Sequence, residues 1–182
     1  LSSALYGEVA WKPLAGLRVT GGLRGDYYHY SVRARDSVAA SLGEGSGSAS
    51  ILSPKASIAY QVTPHLELYA NWGRGFHSND VRGAVNRDTP VPVLVRGIGK
   101  ELGGRIQFSG VTLTATYWWL HVGSELRFIG DSNAVEPSGA SGRHGYEIVA
   151  FWRPFPWLAL DGNYTASHAR FDNGDHIPNA FE

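Results

Sequence analysis

A two-residue alternation of apolar and polar side chains runs through most of this chain, and it limits the fold more than any other feature. From Leu66 to Trp72 one set holds Leu66, Leu68, Ala70 and Trp72, and the other holds Glu67, Tyr69 and Asn71. From Val111 onward Val111, Leu113, Ala115, Tyr117 and Trp119 alternate with Thr112, Thr114 and Thr116. Leu17, Val19, Leu23 and Tyr27 likewise oppose Arg18, Thr20, Arg24 and Asp26. Ala56, Ile58, Tyr60 and Val62 oppose Lys55, Ser57 and Gln61, and Leu158, Leu160 and Tyr164 oppose Asp161, Asn163, Thr165 and Ser167. Successive side chains of an extended strand point to opposite faces, so only strands sort residues this way. Eight strands are expected, at about 3–12, 17–31, 54–63, 66–77, 100–108, 111–128, 143–153 and 157–170.

The connections alternate in length. Short ones fall at Pro13–Gly16, Thr63–His65, Ser109–Gly110 and Pro154–Pro156, each with turn-forming residues. Long ones run through 32–53, 78–99 and 129–142, and a last one opens at 171. The Gly/Ser-rich stretch 43–50 is expected to be a mobile part of the first long loop. Short turns on one rim and long loops on the other are the layout of a barrel that crosses an outer membrane.

Composition narrows the choice. With 16 basic and 16 acidic residues in 182, there is no cationic excess to neutralise phosphates, and a nucleic-acid partner is not expected. The absence of cysteine removes disulfides, thiolate metal sites and cysteine nucleophiles, and suits passage through an oxidising periplasm. No methionine occurs, even at position 1, so a processed or excised chain is expected, and the first residues do not form a signal peptide. No run of about 18 apolar residues exists for a membrane helix, but barrel strands need apolar residues only at alternate positions. Trp11, Trp152, Phe155 and Trp157 flank the short turns, as an interfacial aromatic girdle would. Tyr27, Tyr28, Tyr30, Trp72, Phe76, Tyr117, Trp118, Trp119 and Phe151 also fall largely near strand ends or turns. Filling a soluble core is the competing role for these rings.

Signatures of catalysis are missing: no Gly-x-Ser-x-Gly elbow, no His-Glu-x-x-His, no phosphate loop ending in Gly-Lys-Ser/Thr. Gly43, Gly45 and Gly47 lack the strand and helix that would make them a phosphate cradle. His168, Asp172, Asp175 and His176 gather near one loop, yet their spacing does not define a metal site, and no metal, cofactor or enzymatic activity is expected. Glu101 and Glu147 belong to the polar faces with Arg18, Arg24, Lys55 and Arg105, so ion pairs along a barrel lumen are expected.

Several segments resemble a known family. Pro54-Lys-Ala-Ser-Ile-Ala-Tyr60 followed by Leu66–Phe76, then Gly99-Lys-Glu-Leu-Gly103, resemble stretches of TonB-dependent outer-membrane receptors. So do Glu125–Gly130 continuing to Glu136-Pro137, Gly145-Tyr-Glu147, Arg153–Trp157 and Ile177-Pro-Asn-Ala180. The matches span most of residues 54–182. The resemblance implies a 22-stranded barrel around an N-terminal plug, which imports scarce nutrients with energy from an inner-membrane complex. It makes residues 1–182 one partial barrel domain without the plug, from the C-terminal half of the barrel and short of its final strands. The expected fold is therefore all-β: an antiparallel transmembrane β-barrel meander of about eight strands, forming an arc of a larger barrel.

The implied partners are outer-membrane lipid, a small-molecule ligand such as a metal chelate, and the inner-membrane energising complex, reached through the plug. Ligand contacts are expected in the outward loops, at His77, Asn79, Asp80, Arg82, Arg87, Asp131, Glu136 and Arg143. Two other readings compete with this one. The chain could be a complete eight-stranded membrane barrel with a structural or adhesive role, or a soluble ligand-binding barrel with an apolar pocket.

Overall fold

The computed structural model describes residues 1–33, 44–79, 81–85, 91–124, 126–129, 134–137 and 139–172, with backbone alone for Arg82, 126–129 and 134–137. The elements are β1 (Ser2–Leu14), β2 (Leu17–Val32), β3 (Gly45–Thr63), β4 (Leu66–Ser78), a one-turn helix α1 (Val81–Ala84), β5 (Leu94–Phe108) and β6 (Val111–Val122). A small hairpin, β7 (Leu126–Ile129) and β8 (Ala134–Pro137), precedes β9 (Ser141–Phe155) and β10 (Leu158–Phe171).

Eight strands form one antiparallel meander in the order β1-β2-β3-β4-β5-β6-β9-β10, and β7-β8 is separate. Among the described residues β1 pairs only with β2 and β10 only with β9. The sheet is therefore an open arc, not a closed eight-stranded barrel.

Turn chemistry sets the registers. At the β5–β6 turn Ser109 and Gly110 both have positive φ, 48° and 80°. That pair of angles belongs to the tight hairpin turn whose twist matches that of the flanking strands. From there Phe108 pairs with Val111, and the ladder continues to Gly97–Val122.

The strands extend further toward the long loops than the sequence patterning indicates. β3 starts at Gly45 instead of 54, so most of the Gly/Ser stretch expected to be a mobile loop is strand, paired with Tyr27–Val32 of β2. Backbone hydrogen bonding to a neighbour can hold small residues in a ladder without any hydrophobic alternation to announce it. β5 begins at Leu94 instead of 100. β6 stops at Val122 instead of 128, and the following residues turn into the β7–β8 hairpin.

Directly paired residues share a face, so the registers assign every side chain. One row reads Thr20, Ser57, Asn71, Glu101, Trp118, Gly145, Ser167, and its neighbour reads Arg18, Ala59, Tyr69, Gly103, Thr116, Glu147, Thr165. The opposite face carries rows such as Val19, Ile58, Ala70, Leu102, Tyr117, Tyr146, Ala166. These apolar rows are not covered by protein: Leu102 is 58% exposed and Ile58 45% exposed. The accessible surface is 12734 Å², against roughly 8,600 Å² for a compact globular protein of this mass.

Buried apolar residues are few among those described. Ile51 and Val95 lie toward the long-loop ends of β3 and β5, and Val93 just precedes β5. A soluble barrel packs apolar residues inside and polar ones outside. This sheet does the reverse.

Candidate functional site

The polar face is a continuous wall of mixed charge, held by cross-strand partners. Lys55 Nζ meets Glu8 Oε2 at 2.5 Å, and Arg18 Nη2 lies 3.8 Å from Glu67 Oε2. Asn71 Nδ2 donates to Glu101 Oε2 at 3.0 Å, and the Tyr69 hydroxyl and Thr116 Oγ1 share a 2.6 Å hydrogen bond. Arg105 is the register partner of Glu67. These side chains line a shallow cleft of about 490 Å³. Arg18 and Lys55 thus find acidic partners on the polar wall, as expected, but in Glu67 and Glu8 rather than Glu101 or Glu147, and each long side chain reaches across one intervening strand to do so.

Toward the long loops the wall carries a tighter pair. Asp26 is only 4% exposed, and Arg24 holds it through three N–H···O contacts of 2.8–3.1 Å. The two stand at i and i+2 on one strand, hence on one face. A guanidinium gripping both carboxylate oxygens fixes orientation as well as charge.

The expected contact residues occupy different settings. His77 lies within β4, exposed, opposite Val95. Asn79 is 6% exposed; its Nδ2 donates to Pro92 O at 2.8 Å and its backbone N to Val93 O at 2.8 Å. Its side chain thus closes the 79–93 connection. Arg143 lies inside β9, on the polar face between Leu120 and Ala169, rather than in an outward loop. For Arg82, in α1, and Glu136, in β8, the backbone alone is described, while Asp80, Arg87 and Asp131 lie outside the described residues. Asp175 and His176 also lie outside them. His77 and Asn79 are thus neighbours in sequence on the rim, and Arg143 belongs to the wall.

Trp118 departs from the aromatic-girdle reading: it faces the polar wall, opposite Glu101 and Gly145. The run Tyr117-Trp118-Trp119 must place its middle ring on the other face from its neighbours, and the Thr112/Thr114/Thr116 alternation shows which face that is. Tyr69, Asn71 and Trp118 are wall groups that a search confined to loops overlooks. The rings flanking the short turns do project outward or along the rim, with Phe155 and Trp157 stacked at 5.4 Å between centroids. Among the described residues no group of three His, Cys, Asp or Glu comes together as a metal site. The wall can bind polar solutes or protein surfaces through many weak, paired groups.

A family model described as TonB dependent receptor-like, beta-barrel, matches residues 2–180. No curated protein matches the sequence. Among solved structures, the ferric yersiniabactin uptake receptor FyuA from Yersinia pestis superposes with a TM-score of 0.74 at 21% identity, over 97% of this chain and 28% of that one. The FrpB iron transporter from Neisseria meningitidis gives 0.67 at 21% identity, over 93% and 26%. The ferric-catecholate import receptor Fiu from E. coli gives 0.70 at 19% identity, over 95% and 28%. At these identities the likeness is one of fold, and this chain spans about a quarter of each of the three solved chains.

Proposed function

Because the chain belongs to the TonB-dependent receptor β-barrel family, we propose that it forms part of the wall of a bacterial outer-membrane receptor that imports a scarce nutrient, such as an iron chelate, by TonB-coupled active transport. The observation that carries this reading is the inversion of the sheet: apolar rows uncovered on one face, paired charges on the other. An apolar surface of this extent needs a hydrocarbon phase against it. A polar inner wall suits a plugged or solvated lumen. The family consists of receptors and transporters, and no covalent chemistry is part of this reading.

In this reading residues 1–182 are barrel wall, and a plug domain elsewhere in the whole receptor occupies the lumen and meets the inner-membrane energising complex. Ligand binding falls to the outward rim, where the eight expected contacts remain the proposal: His77, Asn79, Asp80, Arg82, Arg87, Asp131, Glu136 and Arg143. Asn79 would act indirectly, by fixing the shape of the 79–93 connection. Arg143 would act from the wall below the mouth.

The test uses the whole receptor that contains this arc. Cells producing it should accumulate a radiolabelled ferric chelate, and accumulation should stop when the energising complex is removed. Uptake that persists without that complex would overturn the coupling, and failure to bind any chelate, corrinoid or sugar from a panel would overturn the import reading. Replacing all eight rim residues with alanine should lower affinity for whichever ligand is imported, and an unchanged affinity would show that the contacts lie elsewhere.

A further inference from the structure

On β6, β9 and β10 three imidazoles face outward near the long-loop ends of the strands: His121, His144 and His168. Each shares its parity with apolar outward residues, His121 with Tyr117 and Trp119, His144 with Tyr146, and His168 with Tyr164 and Ala166. Two of the three are direct register partners. His144 pairs with His168 across the β9–β10 ladder, in the row Lys100–Trp119–His144–His168. Their ring centroids are 5.5 Å apart and the ring planes are inclined by 54°.

That separation is close to the one a chelated ion requires. Zinc sits ~2.0–2.1 Å from an imidazole nitrogen, which puts it roughly 3.2 Å from the ring centre, and tetrahedral bonds then hold two ring centres about 5.2 Å apart. The observed 5.5 Å matches that geometry closely. Backbone pairing fixes the two Cα atoms, so a small turn about the outer side-chain torsions aims one nitrogen of each ring at a common point.

The surroundings admit a cation. Lys100 is kept one strand further off by Trp119. In the next row up, His121–Gly142–Arg170, the Asp172 carboxylate stands 3.9 Å from His121 Nδ1 and 4.0 Å from where a Cβ on Gly142 would lie. It thus sets a negative charge over the middle of the row that ends at Arg170. On its other side His144 is flanked by Tyr117, at 6.3 Å between centroids. His168 lies about ten residues above the β9–β10 turn, and at roughly 2.5 Å of climb per residue the pair stands near the top of an apolar band about 25 Å tall. Ions of the outer solution reach that level. An exposed imidazole there can simply face water. That accounts for His121, but it gives no reason for two rings at chelating distance on facing strands.

We propose that His144 and His168 form a two-imidazole site for a divalent transition-metal ion of the zinc type, which staples β9 to β10 at the outer surface of the membrane. Each neutral imidazole gives one nitrogen lone pair to the ion, and water fills the remaining positions. Imidazole suits zinc, copper and nickel, and a tetrahedral spacing selects zinc among them. Among the described residues no third His, Asp or Glu completes the set. Two protein ligands are fewer than the four of a closed structural site, so the ion exchanges with solution. The placement at the outer surface rests on the membrane reading above, whereas the chelate rests on strand register alone.

The test uses the whole receptor in detergent, stripped of metal with a chelator and titrated with zinc ion in a calorimeter. The native receptor should bind one zinc ion more than H144Q/H168Q. H144Q and H168Q singly should each weaken that ion on the order of a hundredfold, because a two-point attachment becomes a one-point one. H121Q should bind zinc as the native receptor does. Equal zinc uptake by the native receptor and the double variant would overturn the proposal, and so would a loss in H121Q matching that in H144Q. Should the double variant fail to fold, acylation of the native receptor by diethyl pyrocarbonate decides the question. Zinc should slow the modification of both His144 and His168, mapped by mass spectrometry, and an unchanged rate at either would refute the site. No nutrient is present in these measurements, so their outcome is separate from whether the receptor imports an iron chelate.

Discussion

At the scale of the residue, the polar wall is shaped by rings lying over glycines. Trp118 and Gly145 are register partners, as are Tyr69 and Gly103. A Cβ on Gly145 would stand 2.9 Å from Trp118 Cζ2, with backbone of Ala166 and Ser167 closer still or nearly so. A Cβ on Gly103 would stand 2.5 Å from the Tyr69 hydroxyl and 2.7 Å from Ala115 O. The glycines let the rings lie flat along the sheet and keep them out of the lumen. Gly145→Ala is therefore expected to destabilise the barrel by about 1–3 kcal/mol, as overpacking does. The shift of the heat-modifiable gel band with temperature, or a urea titration in detergent, measures it. Combining G145A with Trp118→Ala should recover only the part of the loss that the ring causes, because the Ala166 carbonyl still crowds the added Cβ, and a purely additive pair would refute the ring-over-glycine account.

At the scale of the element, the strands differ in how completely they are held. β3 pairs with β2 along its whole length from Gly45 to Tyr60, but with β4 only from Lys55 to Thr63. The ladder to β4 ends beside Pro54, which has no backbone N–H to offer. Above that point Arg24, Ser53, Gly75 and Phe76 border a gap of about 490 Å³ between the strands. Hydrogen exchange in the whole receptor should therefore find faster amides in residues 45–53 than in residues 55–63. Equal protection would mean that another segment pairs with the upper half of β3.

Sequence patterning locates the lower, membrane-facing parts of these strands because lipid on one side and a polar wall on the other enforce alternation there. It misses the upper parts of β3 and β5, and the β7–β8 hairpin, because strands that rise past the bilayer no longer need an apolar face. Their pairing is set by backbone hydrogen bonds, which leave no side-chain period to read.

For the whole molecule, the controlling fact is the inversion of a soluble fold. Ile58 lies on an outward row near mid-span, and its sequence neighbour Ser57 lies on the wall. Ile58→Arg should cost about 2–4 kcal/mol and Ser57→Arg close to nothing, because only the first places a charge in hydrocarbon. Folded fraction after dilution from urea into vesicles reports both, and equal costs would mean that the faces are assigned the wrong way round.

Alternation, turn residues and alternating loop lengths determined by themselves that the chain is a meander of strands with one apolar and one polar face, because those features follow from the local geometry of extended backbone. The partnership of Arg18 with Glu67, Lys55 with Glu8 and Asn71 with Glu101 was decided only by tertiary structure, since register joins residues far apart in the chain. So were the burial of Asn79 and, among the described residues, the open edges of β1 and β10. The outward pair of His144 and His168 is of the same kind. In sequence these are isolated imidazoles on different strands, and pairing perpendicular to the chain is what places them side by side.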